Sequence, residues 1–148
     1  MTARHPLAYS ALFFVAAACG GGSTSPPPQG LGGSWSASKI EFVAATNSST
    51  KVDIIPLGGA ASLVLNADNT FQFTMALPGE APLASTGTWS ATSDVVTMNF
   101  ATGLHGNWQF DMTLSGNTLN LTGAGSEFDF NDDGHAEDAR LNLVFTRR

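Results

Sequence analysis

The chain has 148 residues, and its 12 Asp and Glu outnumber 6 Lys and Arg, for a formal charge of −6 and a pI near 4.7. An acidic surface repels phosphate backbones and anionic lipid head groups, so no nucleic-acid partner is expected. With a single cysteine and few histidines, the sequence offers no intrachain disulfide and no zinc site of the usual type.

Residues 1–18 read as an address. Arg4 and His5 form a short basic region, and Leu7 to Ala18 (LAYSALFFVAAA) is an apolar run. A spanning helix needs about 20 apolar residues, so this shorter run suits the h-region of a signal peptide. It ends in Ala-Ala-Ala-Cys, which resembles the bacterial lipobox. The resemblance implies that Cys19 becomes the lipidated N-terminus, with palmitate-type acyl chains holding the protein to a membrane. The alternative is an ordinary secretory signal with Cys19 as a bystander. A lone exposed thiol in an oxidising compartment is a liability that acylation removes, and several acyl chains anchor stably where one does not. Gly20 rather than Asp follows the cysteine. That pattern resembles the sorting rule of outer-membrane lipoproteins, so the expected location is the bacterial cell envelope, at the outer membrane.

Residues 19–33 continue with Gly, Ser and Pro (GGGSTSPPPQGLGG). Such a composition buries almost no surface and reads as a tether, stiff at Pro26–Pro28 and flexible on either side. Residues 34–148 remain as one domain of about 115 residues. Loss of Arg4 with the signal makes the mature chain more acidic still.

This domain reads as all-β. Turn residues interrupt it every eight to twelve positions or so, and the segments between alternate apolar and polar side chains. Phe71, Phe73 and Met75 share a face, as do Val96, Met98 and Phe100. Further along, Trp108, Phe110, Met112 and Leu114 form such a set, then Leu119 and Leu121, then Leu141, Leu143 and Phe145. Asn66–Thr70, Thr92–Asp94 and Ser115–Asn117 read as tight hairpins, which join sequence neighbours. An up-and-down antiparallel meander of about eight strands closes most easily into a barrel, because closure removes its edges. A two-sheet sandwich is the competing arrangement. Thr46 to Ala60 is irregular, and is expected to hold an extra strand near Val52–Ile55 or a lid over one mouth.

The order of these parts resembles the bacterial lipocalin-like domains of small exported lipoproteins. Gly33-Ser34-Trp35 matches the Gly-x-Trp that opens such barrels, and Arg147 and Arg148 follow the last strand. Between them, LNADNTFQF and STGTW match the second-to-fourth strand rhythm. The resemblance implies a barrel of about eight strands in which a closing Arg, here Arg147, packs over Trp35. It implies no particular ligand. An eight-stranded barrel has room for packed side chains or one small molecule. The interior candidates are Phe71, Phe73, Met75, Trp89, Met98, Phe100, Trp108, Phe110 and Met112. They either fill the core or line a cavity for a small apolar ligand.

Catalysis finds little support. No Gly-x-Ser-x-Gly elbow is present, acylation consumes the thiol, and His105 lies in a glycine-flanked turn that reads as solvated. Asp111 alternates outward, which leaves Glu41 without an obvious carboxylate partner. No enzyme activity and a monomeric state are expected.

One segment carries a cation signature. Half of the acidic residues lie between Ser126 and Leu141, and Asp129, Asn131, Asp133 and Gly134 match the start of the Asp-x-Asn-x-Asp-Gly calcium loop. Position 7 would offer the carbonyl of His135 and position 9 is Glu137, while position 12 is Arg140 in place of the usual Glu. No helical pattern flanks the loop, so it resembles the calcium loops between strands of FG-GAP repeats more than an EF-hand. The expectation is optional Ca2+ bound by Asp129, Asn131, Asp133, His135 and Glu137. The competing reading is an acidic turn screened by salt.

Overall fold

A computed structural model describes residues 29–148. The expected signal peptide, Cys19 and most of the tether lie outside the described residues. All regular structure here is β: β1 (Gly33–Ala44), β2 (Lys51–Asp53), β3 (Ala60–Leu65), β4 (Thr70–Ala76), β5 (Leu83–Ala91), β6 (Val95–Thr102), β7 (Asn107–Ser115), β8 (Thr118–Phe128) and β9 (Glu137–Arg147).

Every pairing is antiparallel, and from β3 to β9 each strand pairs with its sequence neighbour. β1 pairs with β3 through Gly33–Ser36 and with β9 through Trp35–Ala44, so the two ends of the meander meet. The result is a closed barrel of eight strands, with β2 outside the ring against Glu41–Val43 of β1. The sandwich alternative does not form.

The alternation seen in the sequence becomes the inside and outside of this wall. Leu63 and Leu65 of β3, Phe71 and Phe73 of β4, Val96 and Met98 of β6, and Leu141, Leu143 and Phe145 of β9 are all buried. Their polar neighbours face out. The hairpins close where turn chemistry permits. Asn69 takes φ 65°, a left-handed conformation that Asn tolerates, and Asp68 caps the same turn through the N–H of Thr70 at 3.0 Å.

The irregular stretch contains a strand, but a short one. β2 stops at Asp53, whose carboxylate accepts the N–H groups of Ile40 at 3.2 Å and Ile55 at 3.1 Å. The chain then turns inward, and Ile54 is 0% exposed in the core. The Asp53 carboxylate competes with the ladder for these N–H groups, which is why pairing ends there.

The tether also joins the barrel earlier than its composition suggests. Leu31 is 1% exposed, and its carbonyl accepts the indole N–H of Trp35 at 3.1 Å. A single apolar residue within a Gly-rich run was enough to dock it.

Candidate functional site

Strand directions place two different ends on the barrel. At one end lie the Asn66–Asn69, Thr92–Asp94 and Gly116–Asn117 turns together with Gly30–Gly32. There the guanidinium of Arg147 stands 4.2 Å from the Trp35 ring centroid, and donates to the carbonyls of Gly32 at 2.9 Å and Gly30. Trp35 itself is fully buried. This end is plugged by one aromatic ring and one cation.

The opposite end is the mouth. It gathers the loops 45–50, 54–59, 77–82, 103–106 and 129–136. Phe128 sits in this end, stacked on Phe42 with centroids 4.6 Å apart and edge-on to Phe130 at 5.1 Å. Leu57, Leu77, Pro78 and Phe128, rimmed by Glu80 and Asp132, line a cleft of about 450 Å³. Leu57, at the edge of this cleft, is 61% exposed.

The nine interior candidates do not line this cleft. Phe71, Phe73, Trp89, Met98, Phe110 and Met112 are buried, and Met75, Phe100 and Trp108 are half-buried against the same core. Four of the rings pack edge to face in a chain: Phe100 stands 5.2 Å from Phe71 and 4.9 Å from Trp108, which stands 5.8 Å from Phe73. Aromatic edges meeting faces in this way fill space with favourable quadrupole contacts. The cleft residues carried a weaker signal in the sequence. Leu57 follows Pro56 in a stretch with no periodicity, and Phe128 alternates with Phe130 just before the acidic run.

That acidic run forms the loop between β8 and β9. Carboxylate oxygens of Asp129, Asp133 and Glu137 lie within 4.8 Å of one another. Backbone donors wrap the side chains: Asp129 accepts from Asn131 at 3.2 Å, Asp133 at 3.3 Å and Gly134 at 2.8 Å. Asn131 accepts from Asp133 at 3.1 Å, Asp133 from His135 at 2.9 Å, and Glu137 from Phe130 at 2.9 Å. Asp132 at φ 58° and Gly134 at φ 84° allow this tight curl. Desolvation pushes the Asp129 carboxyl up, but the N–H groups of Gly134, Asn131, Asp133 and Asp132 outweigh it and hold it below its ordinary value. The His135 side chain is exposed. The donor set is all oxygen, which suits a hard cation such as Ca2+.

Elsewhere, Glu41 is held by Lys39 at 2.6 Å and approached by Lys51 at 3.9 Å, while Asp111 is exposed on β7. His105 is exposed. No protein-family model matches the chain, and none of the curated proteins matches it.

Proposed function

We propose that this is a non-catalytic, lipid-anchored protein of the bacterial cell envelope, a lipocalin-like barrel that binds a small apolar molecule at its mouth. The apolar cleft over Leu57, Leu77 and Phe128 carries the reading. Its volume of about 450 Å³ falls within the size range of small-molecule sites, and it combines apolar walls with a polar rim. The cleft rests on Phe128, which rests on Phe42, so its floor is part of the rigid core. The anchor is the diacylated Cys19, in the outer membrane, and the barrel works as a monomer. Native mass spectrometry of the full chain is the test. A copurified apolar ligand, lost in a Leu57→Asp variant of unchanged melting temperature, is the expected result. A chain that carries none and takes up none from a lipid extract defeats the reading.

A second reading has its own observation. Phe71, Phe73, Phe110 and Phe145 are each no more than 1% exposed, so the barrel interior is packed. This favours a structural or protein-interaction module of the envelope, and a ligand-free chain is what it expects.

In both readings Ca2+ is a staple for the last hairpin, held by Asp129, Asn131, Asp133, Glu137 and the carbonyl of His135. The convergence of three carboxylates within 4.8 Å supports it. With Arg140 in place of the bidentate acid, affinity falls in the range of about 10⁻⁴–10⁻³ M typical of extracellular modules.

A further inference from the structure

The barrel wall splits in two places, and at one of them a freed strand edge is already paired. β1 and β3 pair through Gly33–Ser36 with Ser62–Leu65 and then part. Beyond that point the freed edge of β1 is taken up by β2, which pairs with Glu41–Val43, and by Ile54, whose N–H donates to the carbonyl of Ile40 at 2.9 Å. The second split lies between β7 and β8. These strands pair from Asp111–Thr122 down to Ser115–Thr118. At Thr122–Gly123 β8 carries a bulge, with Gly123 at φ 93°, and bends away to follow β9.

Above the bulge one edge of β8 has no strand against it among the described residues. Ala45 donates to the carbonyl of Asp138, so Asp138 turns its backbone toward β1. Antiparallel alternation then turns Glu137 and Ala139 toward β8, where Phe128 and Ser126 receive them. Gly125 and Glu127 therefore aim their N–H and C=O groups at the split. A groove of about 660 Å³ spans the split and the glycine-bearing face of β8 and reaches across to β9, lined by Trp108, Gly123, Gly125, Glu127, Asp138 and Arg140 among others. A Cβ added at Gly123 or Gly125 would meet nothing within 4 Å, so the face of β8 is open at both positions.

We propose that this edge of β8, Gly123 to Phe128, receives an extended segment of a partner protein as an added strand, much as β2 pairs with the freed edge of β1. The edge is about 17 Å long at the usual rise per residue. An added strand alternates, so one set of its side chains faces Trp108 of β7 and Ser126 of β8 inside the wall and the other lies beside Glu127 outside, with Asp138 next to Glu127 on β9. Of the charged side chains that line the groove, the acids Glu127 and Asp138 outnumber Arg140. The fitting partner alternates apolar and basic residues. A second copy of this acidic chain would bring like charges together.

Amide hydrogen exchange on the full chain tests this, with a synthetic peptide of alternating Val and Lys as probe. In the free protein, Gly125 and Glu127 should exchange at least tenfold faster than Ala124 and Ser126, which face β9. The peptide should slow Gly125 and Glu127 at least tenfold, and a Val and Glu peptide should not. Gly125→Pro removes the N–H that faces the split and should abolish peptide binding. Glu127→Lys, at an exposed site, should weaken binding at least fivefold with an unchanged melting temperature. Slow exchange of both amides in the free chain, or indifference to the basic peptide, overturns the proposal. Protection that rises with protein concentration alone would make a second copy the occupant and overturn it equally.

Discussion

Arg147 does several things at once at the plugged end. It covers the Trp35 ring and ties down Gly30 and Gly32, so the incoming chain and the last strand are held by one side chain. Its packing, cation–π contact and hydrogen bonds together suggest that Arg147→Ala costs roughly 1–3 kcal/mol, read as a drop in denaturation midpoint. Arg147→Lys keeps the charge but loses the planar fork, and should recover only part of this. Gly87 is a different kind of constraint. It lies at an irregularity in the β5–β6 ladder, and a Cβ there would collide with the carbonyl of Asn99 and come within 2.9 Å of the Phe71 ring. Gly87→Ala should therefore destabilise by about 1–3 kcal/mol in urea unfolding. Glu41 contributes to the pH dependence, alongside Asp68 and Asp129, whose carboxyls are also held low. A hydrogen bond from Lys39 is the main cause of its lowered pKa, opposed by desolvation and aided by the charges of Lys39 and Lys51. A depressed carboxyl stabilises the fold above its unfolded pKa, about 4.3, and that stability is lost as pH falls through the lower folded value. The melting temperature should thus decline below about pH 4.3, and Glu41→Gln should lessen that decline without abolishing it.

At the scale of elements, two segments between strands are held by contrasting means. The turn after β2 is anchored by burial. Ile54 is fully enclosed, and Ile54→Ala should cost about 2–5 kcal/mol by leaving a cavity that the surrounding strands cannot close. The β8–β9 loop is anchored by polar groups around Asp129, and most of it is exposed. If Ca2+ staples it, millimolar calcium should raise the melting temperature relative to chelator. Asp133→Ala should erase that difference, and equal melting temperatures in the unmodified chain would reject the staple.

At the scale of the whole molecule, closure is the main fact. Sealing β1 to β9 makes stability depend on contacts between the two ends of the described chain. Phe145, buried on the closing strand and paired with Ala37 and Leu119, is where this shows. Phe145→Ala should cost about 3–5 kcal/mol and lower the single unfolding transition as a unit, without splitting it. The same closure separates the plugged end, where the chain enters at Gln29–Gly33, from the mouth with its cleft and acidic loop.

Much of this architecture was legible in local pattern. Alternation along Phe71–Phe73, Val96–Met98 and Leu141–Phe145 specifies which face is buried, because a strand's period is two whatever its neighbours do. Tight turns at Asn66–Asn69 and Gly116–Asn117 specify a meander, because short connections leave only adjacent strands within reach. The Asp-x-Asn-x-Asp-Gly spacing was visible for the same reason: its hydrogen bonds join residues no more than a few positions apart. What spacing could not supply depends on residues distant in the chain. One such matter is how the rings of Phe71, Phe100 and Trp108 meet across β4, β6 and β7. Docking of Leu31, inward turning of Ile54, the cleft over Leu57 and Phe128, and the open edge at Gly125 were likewise decided by tertiary structure. Each arises where strands from far apart in the sequence meet or part, and a single strand's periodicity carries no record of that.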